Sequence, residues 1–123
     1  MGARVLVIDD SPDYRRLLCE LGASKGWRMR TASSGAEGFA AARAEVPELI
    51  VTDIALGDTD GLSLCERLRA DPSLCRVPIL MITGTYRLEE DRLRGLSSGA
   101  DAYLTKPFDV HEFLALAEKL LSP

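Results

Sequence analysis

The sequence predicts an α/β domain built on one doubly wound, five-stranded parallel sheet of order 2-1-3-4-5, with five helices. Three observations lead there. Apolar runs and helical patterns alternate five times along 123 residues, as a chain of βαβ units requires. Three of the runs, Val5-Leu6-Val7-Ile8, Leu49-Ile50-Val51-Thr52 and Ile79-Leu80-Met81-Ile82-Thr83, are continuous rather than alternating. That is the pattern of parallel strands covered on both faces. Helix-start residues stand ahead of most of the helical patterns, and glycine or proline follows several of them.

The elements follow in order. A first strand spans Arg4–Ile8. Ser11-Pro12 then places a hydroxyl at an N-cap and proline at the first helical position, and Gly26 lies near the end of that helix. The second strand, Arg28–Ala32, alternates charge and apolar character through Arg28, Met29, Arg30 and Thr31, which suits an edge. Ser34-Gly35-Ala36-Glu37 has capping-box spacing before an alanine-rich helix that should stop ahead of Pro47. A third strand spans Leu49–Thr52, a third helix Leu62–Ala70 and a fourth strand Ile79–Thr83. The fourth helix is expected over Glu89–Ser97, with Gly99 past its end, and the fifth strand over Ala102–Thr105. Asp109-Val110-His111-Glu112 opens the last helix, which runs through Leu121. No linker, repeat or low-complexity stretch interrupts the series. One domain over residues 1–123, with no effector domain, is therefore expected.

Composition excludes several classes. An apolar share of 46% with 28% charged residues is ordinary globular usage. No apolar run approaches the ~20 residues that span a bilayer. Met1-Gly2-Ala3-Arg4 lacks a signal-peptide pattern, so a cytoplasmic protein without membrane contact is expected. Fifteen Lys+Arg against nineteen Asp+Glu give a net charge of −4, which argues against direct nucleic-acid binding. Cys19, Cys65 and Cys75 have no metal-ligand spacing, and the first two read as small hydrophobes in helices.

The chemistry gathers at the strand ends. The first strand ends in Asp9-Asp10, the third in Asp53, the fourth in Thr83 and the fifth in Lys106-Pro107. Open α/β sheets bind ligands outside those ends, where strand order reverses. With the first and third strands adjacent, three carboxylates converge in one crevice and must be compensated. A hard cation such as Mg²⁺ suits carboxylate oxygens, and Lys106 can supply a fixed ammonium. That inventory fits phosphoryl transfer to a carboxylate nucleophile.

Asp9-Asp10-Ser11, Asp53 followed by Asp60-Gly61, Thr83-Gly84, and the run Gly99-Ala100-Asp101-Ala102-Tyr103-Leu104-Thr105-Lys106-Pro107-Phe108 resemble response-regulator receiver domains of two-component signalling. The resemblance extends from Arg4 to about Leu121 and implies a flavodoxin-like receiver fold. It implies that Asp53 accepts the phosphoryl group. Asp10 would ligate Mg²⁺ directly, Asp9 directly or through water, and the Ala55 carbonyl would complete the protein ligands with Asp53. Lys106 and Thr83 would act on the phosphoryl group, Thr83 and Tyr103 would form the switch, and Lys106-Pro107 would be a cis peptide. The implied partners are a sensor histidine kinase or histidine phosphotransfer protein and a downstream output protein or effector domain. The output surface would be built from the fourth helix, fifth strand and last helix. One stretch departs from the pattern. Where many relatives carry Met-Pro, this chain has Leu56-Gly57 and then Asp58-Thr59, so Gly57 should loosen the loop and Asp58 add negative charge near the site.

Two rival readings fit these residues less well. A small Mg²⁺-dependent phosphatase or phosphotransferase would want a second acid/base near the nucleophile, yet Asp53 is followed by Ile54-Ala55. A flavodoxin-like nucleotide binder would need a phosphate loop after the first strand, and none is present. His111, Asp71, Asp101 and the Glu89-Glu90-Asp91-Arg92 run read as solvated or turn residues, and Trp27 as packing at the sheet end opposite the site.

Overall fold

The computed structural model describes residues 2–84 and 99–122. Five parallel strands, β1 (Arg4–Ile8), β2 (Arg28–Ala32), β3 (Leu49–Asp53), β4 (Ile79–Thr83) and β5 (Ala102–Thr105), form one sheet of order β2-β1-β3-β4-β5. Four helices are present among the described residues: α1 (Pro12–Ser24), α2 (Gly35–Ala44), α3 (Gly61–Ala70) and α4 (Val110–Leu121). The helix expected over Glu89–Ser97 lies outside the described residues. The third strand runs one residue further than expected and takes in Asp53, and the third helix starts one residue earlier, at Gly61.

Each strand divides its side chains between two cores. Leu6, Ile8, Ile50, Ile79 and Met81 pack with Leu62, Leu64, Cys65 and Leu68 of α3 on one face. Val5, Val7, Leu49, Val51, Leu80 and Ile82 pack with Leu18 of α1 and with Phe113 and Ala117 of α4 on the other. Successive strand residues point to opposite faces, so the continuous apolar runs of the central strands are the direct result of coverage on both sides. β2, at the edge, exposes Arg28 and Thr31.

The helix starts are capped by side chains that follow the strand ends. Ser11 Oγ accepts from Tyr14 N (3.3 Å), and Ser34 Oγ accepts from Glu37 N (3.1 Å). Asp60 Oδ1 accepts from Ser63 N (2.7 Å), and Asp109 Oδ1 from His111 N and Glu112 N (2.8 and 3.1 Å). These bonds satisfy donors that the first turn of a helix leaves open. The reciprocal half of the capping box shifts by one residue, since Glu37 takes Ser33 N and Ser33 Oγ rather than Ser34 N. Asp101 is more than a turn residue. Its Oδ2 accepts from Ile79 N and from Arg69 Nη2, both at 2.8 Å, while Arg69 also donates to the carbonyls of Gly99, Cys75 and Val77. One guanidinium thus fastens the end of α3 to the start of β4 and the turn before β5. Cys65 is buried, which pushes its thiol up to about 11, so it serves as an apolar packing group. His111 is exposed, and Trp27 packs beneath the α1 and α4 side of the sheet. Among the described residues, no helix is long and apolar enough to cross a membrane.

Candidate functional site

The site lies at the C-terminal edge of the sheet, where β1 and β3 pair with Ile8 opposite Thr52. The next residue of each strand is an aspartate, so the pairing itself sets Asp9 beside Asp53. Asp9 is 2% exposed and Asp53 7%, whereas Asp10 faces solvent. One oxygen from each of the three lies within 4.8 Å of the others. Asp9 also starts the turn into α1. Its Oδ1 accepts from Ser11 N (2.9 Å), and Arg15 Nη1 donates to its carbonyl (2.7 Å).

Lys106 reaches this cluster from the loop after β5. Its backbone N donates to the Thr83 carbonyl (2.6 Å), which ties that loop to the end of β4. The Lys106-Pro107 peptide is cis. Lys106 Nζ donates to Asp9 Oδ2 (2.9 Å) and Asp53 Oδ2 (3.0 Å), and its side chain is only 11% exposed. Asp53 Oδ1 accepts from Ala55 N (3.3 Å). Burial pushes the Asp53 carboxyl above its ordinary value and the charge of Asp9 adds to this, while Lys106 and the Ala55 N–H pull the other way. Burial alone would lower the Lys106 ammonium, but its bonds to Asp9 and Asp53 more than reverse that and hold it above its ordinary value. The pair therefore persists as an ammonium between carboxylates, the compensation that a cluster of like charges needs.

Thr83 closes β4, fully buried, one residue past the Asp53–Ile82 pairing. Tyr103 sits in β5 opposite Met81 and packs against the core on the α3 side. The structure thus draws Asp9, Asp10, Asp53 and Lys106 into one cluster. Thr83 stands at its rim, and Ala55 is exposed just past the end of β3.

The loop after β3 corrects one expectation and refines another. Gly57 does not loosen it. Its φ of +84° serves a tight turn that glycine adopts at little cost, closed by Leu56 N to Thr59 O (3.3 Å) and an Ala55–Asp60 bridge. At Gly61 a side chain would collide with the Asp53 carbonyl, so the loop's return past the strand requires glycine there too. Asp58 does add a negative charge, and that charge is fixed on the start of α2. Its Oδ1 and Oδ2 accept from Gly35 N (2.9 Å) and Ala36 N (3.0 Å), and these bonds hold its carboxyl below the ordinary range. Sequence reasoning missed this latch because the contact spans two elements. It also passed over Tyr14, whose ring lies 3.9 Å from Lys106 Nζ.

Comparison with known proteins agrees with this geometry. Residues 5–118 match the family model described as the response regulator receiver domain. The chain belongs to the response-regulator receiver family. The DNA-binding dual master transcriptional regulator RpaA of Synechocystis is 41% identical over 118 residues, covering 96% of this chain and 48% of RpaA. The alkaline phosphatase synthesis transcriptional regulatory protein PhoP of Bacillus subtilis is 38% identical, covering 98% of this chain and 49% of PhoP. This receiver therefore spans about half the length of those relatives. The chemotaxis response regulator CheY4 of Vibrio cholerae superposes with a TM-score of 0.90 at 27% identity, over 98% of this chain and 99% of CheY4. The receiver is a phosphoacceptor signalling switch of the two-component type, and its acidic cluster is one that could hold a metal ion.

Proposed function

We propose that Asp53 is the phosphoryl acceptor, and that the observation carrying this reading is the Lys106 ammonium held between Asp9 and Asp53 beside a third carboxylate, Asp10. Three hard oxygen donors within 4.8 Å fit Mg²⁺, which favours carboxylates and keeps several waters. Asp10, Asp9, Asp53 and the Ala55 carbonyl would hold the ion. Once bound, it would neutralise charge on the transferred phosphoryl oxygens.

The remaining work belongs to the chain. A carboxylate oxygen of Asp53 attacks the phosphorus of a partner's phosphohistidine. A P–O bond forms, the P–N bond breaks, and its electron pair leaves on the imidazole. Lys106, from its place beside the two carboxylates, turns an N–H donor to a phosphoryl oxygen, supplying positive charge where negative charge develops. Thr83 turns its hydroxyl to the same group, and Tyr103 follows as the switch. Attack of water on phosphorus would return Asp53 and release phosphate slowly, so the domain catalyses its own cycle without a separate substrate.

The donor would be a sensor histidine kinase or a histidine phosphotransfer protein. The recipient of the signal would be an output protein or effector domain meeting the face of β5 and α4, together with the helix expected over Glu89–Ser97. The net charge of −4 favours signalling by protein contact over direct nucleic-acid binding by this domain. Incubation with acetyl phosphate and Mg²⁺ should add one phosphoryl group, read by intact mass, and Asp53→Asn should abolish it. Labelling that survives the substitution would overturn the assignment.

A further inference from the structure

We infer that Tyr14 is a positioning residue for phosphoryl transfer, its ring face holding the Lys106 ammonium in place beside Asp9 and Asp53. The inference rests on the reading of Asp53 as acceptor. The ring centroid lies 3.9 Å from Lys106 Nζ, well inside the roughly 6 Å within which a cation is drawn to an aromatic face. Lysine has three N–H donors. Two serve Asp9 and Asp53, and the ring stands against the same ammonium. The lysine side chain is 11% exposed, so little water competes for it.

The ring is itself immobilised from both ends. Tyr14 is the third residue of α1, where its N–H meets the Ser11 cap, and that cap follows directly from the turn that Asp9 starts. Behind the ring stands Phe108 at 6.1 Å, and behind Phe108 stands Phe113 at 5.6 Å, which is fully buried in the core under α4. An aromatic ladder thus runs from that core to the site and ends on the ammonium. A lysine on a flexible four-carbon stem would otherwise spread over several rotamers. Held against the ring, it is already placed when a phosphoryl group arrives. Such preorganisation is what electrostatic catalysis depends on.

Packing and electrostatics can be separated at position 14 without changing shape. Tyr14→Phe keeps the π face and should keep the rate of Asp53 labelling by acetyl phosphate. Phenylalanines of increasing fluorination at the same position keep the volume and drain the face of negative charge. They should slow labelling stepwise, to a total of roughly two- to thirtyfold, with Tyr14→Leu at the slow end. Equal rates across the fluorinated series would overturn the inference, even where Tyr14→Leu fails to fold.

A second readout is independent of transfer. Lys25, Lys106 and Lys119 are the only lysines, so lysine-labelled protein gives a simple spectrum. The Lys106 ε-protons should be shifted upfield by the ring in the wild type and in Tyr14→Phe, and not in Tyr14→Leu. Wild-type protein that takes no phosphoryl group would defeat the acceptor assignment, and the ε-proton shift would still report whether Tyr14 holds Lys106. An unshifted Lys106 in the wild type would overturn the inference whatever the labelling showed.

Discussion

Asp58, Asp60 and Asp109 stand where helices begin, and each carboxylate accepts from backbone N–H groups that the first turn leaves open. Asp9, Asp10 and Asp53 stand where strands end, with oxygens within 4.8 Å of one another and one ammonium between two of them. The Asp58 carboxyl is held below its ordinary value and the Asp53 carboxyl above it. The first set stabilises the helix starts, whereas burial of the Asp53 charge beside Asp9 opposes folding. Sites that need concentrated charge accept such a loss of stability, and the rest of the molecule offsets it.

The sharpest way to break this contrast is to remove the ammonium. Lys106→Ala should slow labelling of Asp53 by about 100-fold or more, the scale on which a preorganised charge donor acts. It should also cost on the order of 3 kcal/mol in urea unfolding, because two buried carboxylates lose their shared partner. A variant with wild-type rate and stability would show that the pairing matters to neither. Addition of Mg²⁺ should act in the opposite direction. At tenfold excess over its Kd the ion should stabilise the wild type by about 1.4 kcal/mol, reversibly with EDTA, and Asp10→Ala should weaken this gain more than Asp9→Ala. A melting temperature indifferent to Mg²⁺ would count against the metal site.

Asp53→Asn sharpens the comparison without metal. The folded carboxyl titrates above its unfolded value, so its contribution is fully present below the unfolded value near 3.9 and is lost as pH rises through the folded one. At neutral pH the variant should therefore melt about 3 °C higher than the wild type, and the gap should close toward pH 4. A lower melting temperature for the variant at pH 7 would contradict the claim that the buried Asp53 charge opposes folding. Asp58→Asn should show the reverse sign and the smallest effect. The Asp58 carboxyl titrates below its unfolded value, so its contribution is present above that value and lost as pH falls through the folded one. The variant should melt roughly 1 °C below the wild type at pH 7, with the difference vanishing in acid. A constant difference across that range would separate the latch from the charge on Asp58.

What could be read from the sequence depended on how local the determining physics is. The five strands were legible because burial on both faces leaves unbroken apolar runs, and Ser11, Ser34 and Asp109 were legible because a cap acts within three residues. The cluster was legible because parallel pairing carries strand ends to one edge. The Asp58 contact leaves no local trace because its partners are the amides of Gly35 and Ala36, more than twenty positions earlier. The Asp101 contact is hidden for the same reason, its partner Arg69 lying on α3. Tyr14 gave no signal at all, since a ring over an ammonium 92 positions away (106 − 14) leaves no period or spacing in the chain.

The sheet separates two cores that share a backbone and no side chains, one with α3 and one with α1 and α4. Side chains across a sheet touch their own layer, and substitutions without shared partners act almost independently. The two faces can therefore drift at different rates under selection. One can be recut for a new listener while the other keeps its existing fit, and Asp53, the last residue of a central strand, stays in common to both.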